Sequence, residues 1–135
     1  MDTTLPGPGS TRKEVLVVED NPIHQVVVSS MLTQIGVSFD LVESGEAAVA
    51  AWESTTYGLI LMDVHLPGMD GISATQEIRR REDLRGDSSR VPVVAMSANI
   101  TPEEIELYRQ NGMSGYIGKP LDPARLKKAL ETWAR

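Results

Sequence analysis

Residues 15–20 read Val-Leu-Val-Val-Glu-Asp, and residues 59–63 read Leu-Ile-Leu-Met-Asp. Each stretch is a short apolar run that ends in acids, and such a run predicts a strand buried on both faces, as in a parallel sheet. Open α/β sheets bind their ligands at the carboxyl ends of the strands. The sequence therefore predicts that Glu19, Asp20 and Asp63 meet at one edge of a sheet.

These three predicted neighbours carry charges of the same sign. At about 4 Å, with an effective dielectric constant near 20, each pair of carboxylates repels by roughly 4 kcal/mol. A hard divalent cation relieves that repulsion, and Mg²⁺ commonly uses few protein carboxylates while keeping several waters. The residues therefore indicate a Mg²⁺ site beside one reactive aspartate.

The composition is that of an ordinary globular domain. The chain has 135 residues, 41% of them hydrophobic and 24% charged, which predicts one domain. It has no cysteine, which excludes disulfides, thiolate zinc sites and cysteine nucleophiles. The net charge of −6 argues against direct nucleic-acid binding. No stretch resembles a signal peptide or a membrane span, so we expect a cytoplasmic setting without membrane contact.

Strand-like and helix-like segments alternate after an irregular start. Residues 1–12 are rich in Pro and Gly and predict a flexible tail or linker, with the folded domain at 13–135. The alternation predicts an α/β fold with a parallel sheet. Strands are predicted near 14–18, 38–42, 58–62, 91–96 and 115–117, and helices near 22–35, 44–52, 72–80, 101–111 and 122–133. Residues 82–90 are predicted to form a loop. In the first helix, an apolar stripe that faces the core is predicted from the spacing of Ile23, Val27, Met31 and Ile35.

Four motifs lie at the ends of predicted strands. They are 17–21 Val-Val-Glu-Asp-Asn, 62–71 Met-Asp-Val-His-Leu-Pro-Gly-Met-Asp-Gly, 95–98 Ala-Met-Ser-Ala and 115–120 Gly-Tyr-Ile-Gly-Lys-Pro. In this order they resemble the receiver domain of two-component response regulators, over about residues 13–133. The resemblance implies a flavodoxin-like (βα)5 three-layer sandwich whose five parallel strands lie in the order 2-1-3-4-5. The first motif and the Pro/Gly-rich start resemble receivers attached to hybrid sensor kinases in particular.

The resemblance also implies roles for the acids at the predicted edge. Asp63 is the expected phosphoacceptor, and a carboxylate can carry a phosphoryl group as an acyl phosphate. The expected Mg²⁺ ligands are Asp63, Asp20 directly, Glu19 through water, and the backbone carbonyl of His65. The family usually has two aspartates at the acid pair, so Glu19 is a departure from its pattern.

Three further residues match functional positions of the family. Ser97 is expected to donate its hydroxyl to a phosphoryl oxygen, and Lys119 to supply an ammonium counter-charge. The Lys119–Pro120 peptide is expected to be cis. Tyr116 matches the aromatic switch, whose ring fills the space that Ser97 vacates. The switched surface would comprise the fourth helix, the fifth strand and the fifth helix.

The implied function is phosphoryl transfer from a phosphohistidine donor, which is a histidine kinase or a histidine phosphotransfer protein. The domain would catalyse its own phosphorylation and hydrolysis without transforming a metabolite, and a kinase or output domain is a possible attachment. Two alternatives stay open, a Mg²⁺-dependent phosphohydrolase with an aspartyl-phosphate intermediate and an unphosphorylated docking module. The residues alone also allow Asp63 to cap a loop, and Glu19 and Asp20 to cap the first helix.

Overall fold

Five strands and five helices alternate along the residues that the computed structural model describes, 12–87 and 89–133. The order across the sheet is β2-β1-β3-β4-β5, and every pairing is parallel. This confirms the α/β fold and the strand order that the resemblance implied. The predicted tail lies outside the described residues except for Arg12, which begins β1. The elements are β1 Arg12–Val18, α1 Pro22–Ile35, β2 Phe39–Val42, α2 Gly45–Ser54, β3 Thr56–Asp63, α3 Gly71–Arg85, β4 Val93–Ser97, α4 Pro102–Gln110, β5 Gly115–Gly118 and α5 Pro123–Trp133.

The sheet separates two apolar cores. Alternate residues of a strand point to opposite faces, so β1 sends Leu16 and Val18 to one core and Val15 and Val17 to the other. The α2–α4 core packs these residues against helices α2, α3 and α4. The α1–α5 core packs the other face against α1 and α5. The result is the expected three-layer sandwich, whose central strands are buried on both sides.

Helix α1 buries a different stripe from the one that the sequence spacing predicted. Val28 and Leu32 are its buried residues, while Ile23 is 73% and Val27 39% exposed. The prediction was wrong at these positions because apolar residues occur all around this helix, so their spacing does not single out one face. The two stripes overlap at Met31 and Ile35, which pack partly against the α1–α5 core.

Helix α3 is longer than predicted, since it continues to Arg85 through part of the predicted loop. The polar sequence misled the prediction because Glu82 is buried here as an ion-paired residue. Its Oε1 lies 2.9 Å from Arg79 Nη1, and its Oε2 accepts a hydrogen bond of 2.9 Å from the Val91 N–H. The helix ends at Gly86, whose φ of 73° is in the left-handed region.

Strand β4 begins at Val93 and not at the predicted residue 91. Pro92 has no N–H to donate, but its carbonyl accepts a 2.9 Å hydrogen bond from the Ile60 N–H and so starts the pairing with β3. The strand then ends at Ser97, level with Gly118 of β5. The register therefore places Ser97 at the carboxyl edge of the sheet.

The helices begin at capping residues and stay short. Ser44 accepts a hydrogen bond from the Ala47 N–H, and Thr101 accepts one from the Glu104 N–H, at the starts of two predicted helices. No helix formed by residues 12–87 or 89–133 has the length and apolar character needed to cross a membrane.

Gly71 allows α3 to approach the end of β3. A Cβ atom on Gly71 would lie 2.2 Å from the Asp63 carbonyl oxygen and 2.9 Å from Met62 Cγ. The Gly71 N–H also donates to the Val64 carbonyl at 3.2 Å. A glycine is therefore required where the helix begins beside the acidic end of the strand.

Gly71→Ala is expected to lower the free energy of unfolding by about 1–3 kcal/mol, because the added methyl overlaps backbone atoms that cannot easily move. Urea denaturation measures this change. Ser73→Ala, at an exposed position of the same helix, is the control and should leave stability nearly unchanged. Wild-type stability in Gly71→Ala would contradict the close approach.

Candidate functional site

The acid pair lies in the turn between β1 and α1. The Glu19 N–H donates to the Val42 carbonyl at 3.0 Å, which extends the pairing of β1 with β2 by one residue. The Glu19 side chain is 2% exposed, whereas Asp20 is exposed. Asn21 caps α1 by accepting hydrogen bonds from two backbone N–H groups of its first turn. Because Asn21 is the cap, neither acid is needed for that purpose.

Asp63 is the last residue of β3 and is buried. Its Oδ1 accepts a 3.0 Å hydrogen bond from the backbone N–H of His65. Its Oδ2 lies 3.1 Å from Lys119 Nζ. The carboxylate is therefore held in one orientation by a different donor at each oxygen.

Lys119 joins the ends of β1, β3 and β5. Its Nζ donates to Glu19 Oε1 at 2.7 Å and to Asp63 Oδ2 at 3.1 Å. Burial opposes the charged form of Lys119, but the contacts with the two carboxylates outweigh it and raise the pKa of the lysine. The Lys119–Pro120 peptide is cis, as expected. The lysine therefore stays protonated between two buried acids.

The three acids fit a hard divalent cation. Glu19, Asp20 and Asp63 each offer a carboxylate oxygen, and these oxygens lie within 4.8 Å of one another. Burial is the largest cause that raises the pKa of Glu19, and the Asp63 carboxylate adds to it. Lys119 acts in the opposite direction without cancelling the shift. The excess of negative charge at this edge leaves a place for added positive charge, and oxygen donors suit Mg²⁺.

The other predicted site residues lie on neighbouring elements. Ser97 ends β4, beside β3, and is buried; its Oγ accepts a 3.0 Å hydrogen bond from the Asn99 N–H. Tyr116 lies on β5 and is 47% exposed. His65 is exposed and contributes its N–H to Asp63, while the expected role of its carbonyl stays a prediction. The structure thus brings Glu19 and Asp63 into direct contact with Lys119 and places Asp20 beside these two acids. Ser97 lies at the same edge, and Tyr116 points outward.

Sequence reasoning missed His24 as a member of this site. Its Nδ1 lies 3.3 Å from Lys119 Nζ and 3.6 Å from Glu19 Oε1. The signal available was its position in the first turn of a helix that follows an acid pair. That signal is weak because the lysine it contacts lies 95 residues away in the chain.

Comparison with known proteins agrees with this geometry. The response regulator receiver domain model matches residues 15–131. Sensor protein GacS of Pseudomonas syringae pv. syringae is 39% identical over 92% of this chain. A probable histidine kinase of rice, Oryza sativa subsp. indica, is 33% identical over 93% of this chain. The chain spans only 14% of the length of GacS and 16% of the length of the rice kinase.

Two solved structures carry the same fold. The receiver domain of sensor histidine kinase PA1611 from Pseudomonas aeruginosa PAO1 has 42% identity and a TM-score of 0.80, and the match covers 92% of this chain and 98% of that one. It holds a magnesium ion in its active-site cleft. The receiver domain of Ssk1, solved with the phosphotransfer protein Ypd1 of Saccharomyces cerevisiae, has 31% identity and a TM-score of 0.86, with 92% and 90% covered. The strand order, the acid–lysine contact and these matches together show that the chain belongs to the receiver-domain family of two-component phosphorelay signalling.

Proposed function

We propose that this receiver domain accepts a phosphoryl group from a phosphohistidine onto Asp63. The observation that carries the proposal is the fixed orientation of the Asp63 carboxylate, with Oδ1 bonded to the His65 N–H and Oδ2 beside the Lys119 ammonium. A carboxylate held in this way is an oriented nucleophile at the ligand-binding edge of the sheet.

The transfer needs little covalent chemistry from the protein. An Asp63 oxygen attacks phosphorus, the bond between phosphorus and the donor imidazole nitrogen breaks, and the imidazole keeps the electron pair and takes up a proton. The Lys119 ammonium balances the charge of the phosphoryl oxygens, and the Ser97 hydroxyl donates a hydrogen bond to one of them. Positioning and charge stabilisation account for most of the catalysis in such reactions.

Mg²⁺ is the proposed cofactor. Glu19, Asp20, Asp63 and the His65 carbonyl would hold it, and when bound it supplies positive charge to the phosphoryl oxygens. The mutual proximity of the three carboxylates supports this assignment. The magnesium ion in the related PA1611 receiver domain gives it further support.

The proposed output is a change on the surface formed by α4, β5 and α5. Ser97 would move toward a phosphoryl oxygen, and the Tyr116 ring would turn inward in response. The outward position of Tyr116, 47% exposed, supports its assignment as the resting form of that switch.

The proposed docking surface for the phosphohistidine donor is α1 beside the acid pair. Ile23 and Val26 are 73% and 69% exposed, and residues 22–35 contain no Asp, Glu, Lys or Arg. Exposed apolar side chains grouped on one helix are typical of an interaction surface. The complex of the related Ssk1 receiver domain with Ypd1 supports a histidine phosphotransfer protein or histidine kinase as the partner class.

We further propose that the chain is part of a cytoplasmic hybrid sensor kinase. Its sensor-kinase relatives are much longer than the segment that matches it, which supports an attached kinase domain. The receiver itself would then act as a phosphoacceptor and not as an enzyme on a separate substrate.

Asp63→Asn is expected to abolish phosphorylation by acetyl phosphate and Mg²⁺, because an amide oxygen cannot form the acyl phosphate. Intact-protein mass spectrometry measures the adduct on wild type and variant. Asp70→Asn, which alters the exposed cap of α3, is the control and should phosphorylate normally. An adduct that persists in Asp63→Asn would place the acceptor elsewhere, and rapid turnover of a free phosphoester would favour the phosphohydrolase.

Lys119→Met is expected to slow phosphorylation by acetyl phosphate on the order of 100-fold, the usual loss when one charge-stabilising donor is removed. Stopped-flow measurement of Trp fluorescence or quench-flow labelling gives the rate. Lys127→Met, at an exposed position of α5, removes the same charge away from the site and should keep the wild-type rate. Equal rates in both variants would contradict the role of Lys119.

Val26→Asp is expected to slow transfer from the phosphorylated histidine partner at least tenfold, since burying an unpaired carboxylate at the interface costs about 1.4 kcal/mol or more. Phosphorylation by acetyl phosphate should not change, because it needs no docking surface. Leu84→Asp, at a 74% exposed position of α3, is the matched control. Slower transfer in Leu84→Asp and not in Val26→Asp would move the docking surface to α3.

A further inference from the structure

Tyr108 of α4 carries a buried hydroxyl that lacks a partner. The residue is 2% exposed. Within residues 12–87 and 89–133, its hydroxyl is the only buried side-chain polar atom without a hydrogen bond. Leaving such a group unsatisfied is unfavourable, so a buried orphan hydroxyl calls for an explanation. The role proposed above for Ser97 and Asp63 does not use it.

The fold directs this hydroxyl toward Ser97. On β4, Val93 and Ala95 belong to the α2–α4 core together with Tyr108, whereas Met96 belongs to the opposite core. Side chains alternate along a strand, so Ser97 points to the same face as Ala95. Side chains of a helix lean toward its N-terminus, which in α4 is the end that follows β4. The Tyr108 ring therefore extends toward the end of the strand where Ser97 lies.

The electrostatics of Tyr108 agree with this placement. Burial is the largest cause that raises the pKa of the phenol, and the Ser97 hydroxyl acts in the opposite direction. Glu104, one turn earlier in α4, adds to the rise. The Ser97 hydroxyl is thus near enough to the phenol to affect its pKa, although no hydrogen bond of ordinary geometry joins Tyr108 to a partner in this state.

The Ser97 hydroxyl can donate one hydrogen bond and accept another beyond the one it makes with the Asn99 N–H. Its Oγ accepts from the Asn99 N–H at 3.0 Å, but the Asn99 carbonyl, to which it can donate, is 3.4 Å away. That distance is long for a hydroxyl donor, so the Ser97 proton is available to a better acceptor. A serine oxygen also has two acceptor positions, and Asn99 fills one of them.

We propose that Tyr108 is a positioning residue whose hydroxyl donates to Ser97 Oγ when the Ser97 hydroxyl donates to a phosphoryl oxygen on Asp63. This inference rests on the proposed function of Asp63. The phenol would gain its hydrogen bond in the phosphorylated state alone, which stabilises that state relative to the resting one. Bonds in such a chain strengthen each other, so α4 would sense the phosphoryl group through Ser97.

Beryllofluoride with Mg²⁺, a mimic of the phosphoryl group on Asp63, tests the proposal by isothermal titration calorimetry. Tyr108→Phe is expected to weaken its binding about tenfold, the effect of one lost hydrogen bond of ordinary strength. Urea denaturation of the same variant should show equal or greater stability, because only an unsatisfied hydroxyl is removed. If the Tyr108 hydroxyl had a purely structural role, its removal would instead lower the free energy of unfolding.

Tyr57→Phe is the matched control. The Tyr57 hydroxyl donates to Asp40 Oδ2 at 2.6 Å, near the start of β3 and away from Ser97. Its removal should lower stability and leave beryllofluoride affinity unchanged. The two tyrosine variants are therefore expected to show opposite patterns.

A double-mutant cycle with Ser97→Ala completes the test. In that background Tyr108→Phe should change affinity less than twofold, because the serine that transmits its effect is absent. Wild-type affinity for beryllofluoride in Tyr108→Phe, or a full tenfold loss in the Ser97→Ala background, would overturn this inference and leave the proposed function standing. Failure of the wild-type protein to bind beryllofluoride would overturn the proposed function and this inference with it.

Discussion

The contact of one ammonium group with two buried carboxylates is the constraint on which this edge of the sheet depends. Lys119 lies 100 residues from Glu19 and 56 from Asp63 along the chain, yet its Nζ is bonded to both. Two carboxylates with so little exposure need a nearby cation. The parallel order of the strands supplies it, because the ends of β1, β3 and β5 reach the same edge. The Lys119 N–H also donates to the Ser97 carbonyl, which ties the lysine to β4.

The balance of charge explains why this edge suits both a metal and a phosphoryl group. Lys119 contacts two carboxylates and a third lies close to them, so the ionised cluster keeps an excess of negative charge. The pKa of Glu19 is raised mainly by burial, and the neighbouring Asp63 carboxylate adds to the rise. A divalent cation would remove the excess of negative charge, and an added phosphoryl group would bring new negative charge that the cation and Lys119 can share. The two proposed ligands therefore complement each other electrostatically.

Sequence patterns predicted the features that depend on local residues. Apolar runs predicted the strands, the acids after them predicted the site, and the segments that begin at Ser44 and Thr101 were predicted to be helices. The patterns failed where tertiary contacts determine the local structure. Glu82 looked like a loop residue because its ion pair with Arg79 cannot be read from the sequence, and the buried face of α1 was ambiguous because the whole helix lacks charge. His24 and Tyr108 were missed for the same reason, since their relevance comes from distant partners.

The absence of Asp, Glu, Lys and Arg from residues 22–35 has a kinetic consequence for any protein that meets α1. Long-range attraction accelerates encounters only when opposite charges face each other, and salt suppresses it. A partner that approaches this helix meets no such charge on the helix itself, so any dependence of its association rate on ionic strength should come from the neighbouring acidic edge. Discrimination among similar partners would then reside in the shape of the exposed Ile23 and Val26 surface and in how slowly the complex separates.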